Sequence, residues 1–444
     1  MNVQRPTSNV QRRRALAAAM VVALTLSSPA QSTNGPHQID LPTVLRLAGA
    51  QNLDVKIARE RLAEAKANHG SAVANFFPWV SPGIGYKRHD HNIQDVAGNI
   101  IEVHKQSYAP GATIAAQVDL GDAIYKELAA KQLVRAADHA VEAQRQQSVA
   151  SAAAGYFDLL AAQAAVKVAQ EAITISSNYE AQVGRAVEAG LAFKGDQLRV
   201  RVQTERNQIT LRRAEEEQRV AAARLAQTLR LDPAVALTPQ DSDLLPTTLL
   251  RTNLSSLVAE ALTTRSELKQ SSALVDAAKQ TEQGAKYGPL VPTVGAQAFF
   301  GGLGGGQNDD LGNFDHQEDY GLGISWRIGP GGIFDFDRQR ATRARRNIAE
   351  LTGEQLRDEI ARQVVEAATR ADSLSDQLAT AQRAIAAAEE SFRLAQQRKE
   401  FGVGIVLETV QAEQELTRAR LDYLRAIAEF NKAQYALMRA TGRL

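Results

Sequence analysis

The chain contains no cysteine. That excludes disulfides, thiolate nucleophiles and cysteine-ligated metals, and leaves no thiol for a lipid anchor. Aromatic residues are only 5% of the 444, and there are 13 prolines. One large aromatic-rich globular core is therefore a poor fit to this composition. An excess of one charge is also missing, since 51 basic residues meet 50 acidic ones, which sets aside a nucleic-acid footprint. Long apolar runs are scarce too. Residues 15–26 form a short one that follows Arg12, Arg13 and Arg14 and precedes Ser28-Pro29-Ala30, the order of an export signal with a small-residue cleavage site. It is too short to span a bilayer, and after this signal peptide, taken as 1–30, no stretch reads as the ~18 apolar residues of a membrane helix.

What is present is alanine and a repeat. "LDVKIARERLAEAKA" ahead of "FFPWV" returns as "SELKQSSALVDAAKQ" ahead of "PLVPTV", and "EAGLAFKGDQL" returns as "EFGVGIVLETV". The pairs Asp54 and Glu267, Pro78 and Pro292, Gly190 and Gly402, and Asp196 and Glu408 all lie at nearly one offset, the mark of a duplicated unit. We expect repeat 1 over 31–230, a Pro-, Asp- and Thr-rich linker over 231–253, and repeat 2 over 254–444. Each repeat reads as a helix, two extended stretches around a polar loop, a very long helix, a glycine-marked turn and another long helix. A helix of ~60 residues is roughly 90 Å long, so such helices must pack side by side along a rod or tube. In the longest, Ala152, Leu159, Val166 and Ile173 recur every seven residues, followed by the small row Gly155, Ala162, Ala169 and Ser176. Alone, this coiled-coil seam fits a structural protein of the cell envelope.

The extended stretches redirect that reading. In "YGLGISWRIG", Tyr320, Leu322, Ile324, Trp326 and Ile328 fall on one face, and Gly321, Gly323, Ser325, Arg327 and Gly329 on the other. Similar alternation predicts strands over about 79–88, 110–120, 291–300 and 319–329. Each is close to the ~9–11 residues of a tilted membrane strand, with one face for lipid and one for water. Gln117, Asp119 and Arg327 are the candidate lumen residues. A half-buried soluble sheet is the plainer alternative. Membrane barrels close with about eight strands or more, so four per chain must be pooled among copies.

The leader, the duplicated order and the tips "AGLAFKGDQ" and "FGVGIVLET" together resemble TolC-type outer membrane efflux proteins, over essentially the whole mature chain. The resemblance implies a mainly α fold with a membrane β part: a homotrimer whose 12-stranded transmembrane β-barrel is continuous with a 12-helix periplasmic α-barrel. It also implies a passive exit duct in the outer membrane lipid, serving tripartite efflux or type I secretion with a periplasmic adaptor and an inner-membrane pump. The tips, about 187–196 and 399–408, would dock the adaptor through Gly190, Leu191, Gly402 and Val403. Asp196, Glu408 and Lys399 would flank the periplasmic aperture, with Lys399 placed to pair with one acid. Ala189, Phe401 and Glu408 depart from the residues usual there, and Gly404 would add flexibility. A periplasmic adaptor is the alternative, but it would show one hairpin and a compact β domain.

In the first strand loop, His89 and His91 stand at i and i+2 and could share a metal, with His104 nearby, but such a pair more often decorates a hydrated external loop, and no metal site is expected. The stretch "GGLGGGQNDDLGNFDHQED" lacks the Gly-Lys-Ser/Thr of a phosphate cradle. Its acids, Asp309, Asp310, Asp315, Glu318 and Asp319, read as solvating an external turn or sharing a divalent cation with surface lipid. With no nucleophile, paired carboxylates or cofactor fingerprint in view, no enzymatic role and no cofactor are expected.

Overall fold

The computed structural model describes residues 37–241, 243–247, 253–308 and 310–444; the expected signal peptide, Asp309 and part of the expected linker lie outside the described residues. After β1 (His37–Ile39), repeat 1 opens with α1 (Leu41–Gln51) and α2 (Leu53–Ala74). The Asp40 side chain accepts from the Thr43 amide to start α1, and Asn52 accepts from the Asp54 amide to start α2. Asn52 also donates to the Thr228 carbonyl at 3.1 Å. In repeat 2, α5 (Leu254–Thr264) and α6 (Ser266–Tyr287) meet at Arg265, which donates to the Ala440 carbonyl at the same 3.1 Å. One join is thus built twice, once with an amide and once with a buried guanidinium. Against the upward push of burial, the Arg265 fork and the Arg439 charge hold the Glu267 carboxyl below its usual range.

Two very long helices follow the strands: α3 (Leu120–Glu188, 69 residues) and α7 (Phe336–Glu400, 65 residues), each roughly 100 Å at ~1.5 Å per residue. Each turns back into a shorter partner, α4 (Lys194–Leu229) and α8 (Val406–Ala440). Asp119 caps α3 and Asp335 caps α7, while Arg338 grips Asp122 with two bonds of 2.8 and 2.9 Å and ties the two starts together. Helix α3 is central, packing on α1, α2, α4, α6 and α8. Packed on several sides, it carries an 18-residue window apolar enough for a membrane span, contrary to the expectation that no stretch after the leader is so apolar. Its seam residues Ala152, Leu159, Ala169 and Ser176 are buried.

The core is distributed along the rod. One cluster joins α1, α3, α4 and α8 through Val44, Tyr156, Leu159, Leu225, Leu229 and Ile427. Its repeat-2 counterpart joins α5, α7 and α8 through Leu257, Ile360, Val364, Phe430 and Leu437. The described part of the connector is pinned between them: β6 (Leu237–Pro239) pairs in parallel with β1, Tyr156 donates to Asp241 at 2.6 Å, and Asn431 holds both Leu245 and Thr247.

Four long strands, β2 (Trp79–His89), β5 (Lys105–Asp119), β7 (Thr293–Gln307) and β8 (Asp315–Ser325), form one antiparallel sheet in the order β2-β5-β7-β8. The short hairpin β3 (Asn92–Gln94) and β4 (Ile100–Glu102) sits in the β2–β5 loop. Register aligns the alternation across the sheet. Val80, Ile114, Ala298 and Tyr320 stand in one row, and Val118, Val294 and Ile324 in another; on the opposite face Ala115, Gln297 and Gly321 align, as do Gln117, Gly295 and Gly323. The ladder between β5 and β7 skips Ala109 and Pro110, where proline has no amide to give.

Several strand limits differ from those expected. β5 ends at Asp119 because that residue caps α3, and β8 ends at Ser325. Trp326 and Arg327 therefore lie beyond the sheet; Arg327 offers its carbonyl to the Ile333 amide in the turn before α7, so its placement in a barrel strand is corrected. The glycine-rich stretch after Phe300 is mostly strand, since β7 runs on to Gln307 and β8 starts at Asp315.

Candidate functional site

Both hairpin tips are built by the same device. Helix α3 closes with Gly190 at φ +73°, whose amide donates to Val187 O while Leu191 donates to Ala186 O at 2.8 Å. Helix α7 closes with Gly402 at φ +77°, its amide on Lys399 O and Val403 on Arg398 O at 3.0 Å. These paired bonds satisfy the last carbonyls and require a left-handed residue where only glycine is unstrained. A Cβ at either glycine would meet nothing within 4 Å. Gly404 has a different reason: a Cβ there would come within 2.9 Å of the Lys399 backbone, so close approach, not the expected flexibility, explains it.

Beyond each glycine the chain turns outward with its apolar residues bare. Leu191, Phe193 and Phe401 are 80% exposed or more, and Val403 and Ile405 lie close behind. Phe193 and Ile405 occupy the N-cap positions of α4 and α8 and supply no side-chain cap. Each tip therefore presents exposed apolar side chains beside an uncapped helix start, a surface suited to another helical hairpin. Just behind, Val183, Val200, Val406 and Val410 pack together and join the two hairpins.

Asp196 and Glu408 lie in the first turns of α4 and α8, where a negative charge meets the positive end of the helix dipole. Asp196 pairs with Arg199 at 3.2 Å. Glu408 pairs with Arg398 at 3.2 Å; the partner expected from sequence, Lys399, makes no ion pair among the described residues. The helix sends neighbouring side chains ~100° apart, so only one of Arg398 and Lys399 can face α8.

Sequence reasoning missed a buried polar cluster deeper in the rod. Asn207 on α4 donates at 3.1 Å to Ala172 O, to Ser176 on α3 and to Glu413 on α8. Gln203 donates to Asn207, Gln414 reaches Gln203, and Thr417 donates to Glu413. Burial pushes the Glu413 carboxyl above its usual range against these bonds, and its second oxygen has no hydrogen-bond partner among the described residues. The signal available in sequence was a lone acid inside the heptad pattern of α8.

At the sheet, Gln117 is on the polar face and Asp119 serves as the α3 cap. Among the acids of the second loop, Asp310 caps Gly312, Glu318 holds His316 and Tyr320, and Asp319 takes Gln317, each with its own partner. Nor do His89 and His91 share a site: His89 contacts Asn92 O, and His91 sits outside the strand at φ +81°.

An uncovered four-stranded sheet feeding two pairs of very long helices defines the class of outer-membrane channel folds. The chain matches the family described as outer membrane efflux protein over residues 44–229 and 257–443, and it belongs to that family. No curated protein matches it in sequence. Among solved structures it is similar to the CmeC outer membrane channel of Campylobacter jejuni, with a TM-score of 0.77, 15% identity, and 90% of this chain and 85% of that one covered. It is similar as well to a membrane protein from Pseudomonas aeruginosa, with a TM-score of 0.77, 18% identity and 90% of each chain covered. The open-state MtrE outer membrane channel of Neisseria gonorrhoeae matches at 0.73 and 17% identity, covering 90% and 88%. As a member of that family the chain is an outer-membrane efflux protein.

Proposed function

We propose that three copies of this chain close one continuous duct, and that the duct is the passive exit of a tripartite efflux or type I secretion assembly. The observation that carries this reading is the bare apolar sheet face. Val80, Ile84, Tyr86, Tyr320, Leu322 and Ile324 are all exposed, with no layer of the described residues packed on them. In a soluble sheet that face would be covered; in hydrocarbon it needs no cover. The edges support pooling among copies, because β2 and β8 each keep one side of their backbone unpaired, which lipid does not tolerate. The helices support it too. On α4, Leu198, Val202, Ile209 and Val220 are exposed at heptad-like spacing, as are Ile348 and Leu351 on α7, a seam for a neighbouring chain.

In this reading Gln117 and Gln297 line the lumen, and Arg327 stands at its helix-side rim. The tips dock a periplasmic adaptor through Leu191 and Val403 around Gly190 and Gly402, and an inner-membrane pump supplies the energy. Asp196 and Glu408 flank the aperture, and the Arg398–Glu408 pair replaces Lys399 as the contact to test there. Catalysis has no part in it, since a water-filled passage needs only shape and charge. The decisive experiment is site-specific photo-cross-linking from positions 191 and 403 in cells, followed by identification of the captured protein. Capture of a periplasmic adaptor is expected; failure at both tips, with the protein correctly in the outer membrane, would end the docking assignment.

A further inference from the structure

Among the described residues, one group of potential metal ligands converges: His91, Glu102 and His104, whose donor atoms all lie within 4.8 Å of one another. They come from the entry to β3, the end of β4 and the residue before β5, at the end of the sheet away from the helices. The Glu102 carboxylate oxygen stands 3.6 Å from His91 Nδ1 and 3.8 Å from His104 Nε2. These gaps are too long for hydrogen bonds. They approach the roughly 3.4 Å that separates two ligands of a tetrahedral ion bound at ~2.1 Å.

A second observation comes from the other side of the His104 ring. Its Nδ1 lies 3.1 Å from Asp90 Oδ1, and Asp90 is held in turn by Arg88 Nε at 2.9 Å. An ionised carboxylate only accepts, so Nδ1 carries the proton, and in the neutral imidazole Nε2, on the Glu102 side, is then the nitrogen able to bind a metal. That is the carboxylate–histidine arrangement which orients imidazole ligands of zinc. His91 completes the set from a left-handed backbone, a conformation uncommon outside glycine that turns its ring to within 5.6 Å of the His104 ring.

We propose that this loop binds one zinc-class divalent ion per chain through His91 Nδ1, His104 Nε2 and Glu102, with a fourth position left for water. Bound there, the ion ties the β3–β4 hairpin to the root of β5 and fixes the loop at the sheet's open end. The test is isothermal titration of the full-length protein in detergent with Zn²⁺ alone, after chelator treatment, beside limited proteolysis of the loop with and without Zn²⁺. Wild type should take up about one ion per chain, and the ion should slow cleavage within 89–105. His91→Ala and His104→Ala should each abolish both effects, Asp90→Asn should weaken binding about 10- to 100-fold, and His316→Ala, at a histidine paired with Glu318 elsewhere, should change nothing. Heat-resistant oligomer yield verifies that each variant folds. No uptake by wild type, or uptake that survives in the His91→Ala/His104→Ala double variant, would overturn the assignment.

Discussion

Gly190 and Gly402 show how little a residue must do to matter. Their backbones are left-handed and the space where a Cβ would go is empty, so a side chain costs only ~1–2 kcal/mol of local strain. Gly190→Leu and Gly402→Leu should therefore leave the yield of membrane-assembled protein unchanged while abolishing adaptor cross-linking and export. Normal export with full cross-linking would remove the tips from the docking surface. Glu413 makes a different kind of prediction. Burial raises its folded pKa above the unfolded value, so the folded state binds the proton more tightly. Its favourable contribution is complete below the ordinary glutamate range and is lost as pH rises through the folded pKa. Glu413→Gln keeps the bonds to Asn207 and Thr417 within reach without the charge. Melting curves of variant and wild type should coincide at acid pH and separate in the variant's favour as pH rises; a constant difference would mean that folding does not perturb the titration of Glu413.

At the scale of the element, the sheet predicts opposite outcomes for neighbours. Leu322 is exposed on the apolar face in the interior of β8, whereas Gln297 on β7 faces the other way, opposite Gly321. Leu322→Arg should cost roughly 2–4 kcal/mol near the bilayer midplane and lower the amount of heat-resistant oligomer in outer-membrane fractions, while Gln297→Arg should be tolerated. Ile324 is a weaker probe than its sequence suggests, because β8 ends one residue later and depth reduces the penalty. Equal losses at positions 322 and 297 would show that the alternation does not separate lipid from water.

At the scale of the whole molecule, one chain leaves groups unsatisfied. Two strand edges with unpaired backbone and heptad-spaced apolar residues on α4 and α7 are costs that a monomer cannot offset. Light scattering or native mass spectrometry in detergent should give three chains per particle, with no folded monomer on dilution. A stable monomer with this secondary structure would contradict the proposed assembly.

Local periodicity is what the sequence determined by itself. Period-two alternation in "YGLGISWRIG", the seven-residue seam from Ala152 to Ile173 and the repeated glycine tips are all set by backbone geometry within a few residues, and they sufficed for the fold class and the family. Only the tertiary structure decided which side chains meet. Asn207 and Glu413 lie 206 residues apart and touch because α3, α4 and α8 converge. Arg398 takes Glu408 from Lys399 because the rotation of α7 aims one of two adjacent cations inward. His104 joins His91 in place of His89 because the β3–β4 pairing, continued by the Val103 amide on the His91 carbonyl, brings the two ends of that hairpin together. Strand ends belong to the same class: β8 stops at Ser325, where its pairing with Thr293 stops, although its own alternation runs on to Gly329. Spacing along a chain fixes the face a residue occupies, but the partner across a gap depends on crossing angles and register set by every element packed there.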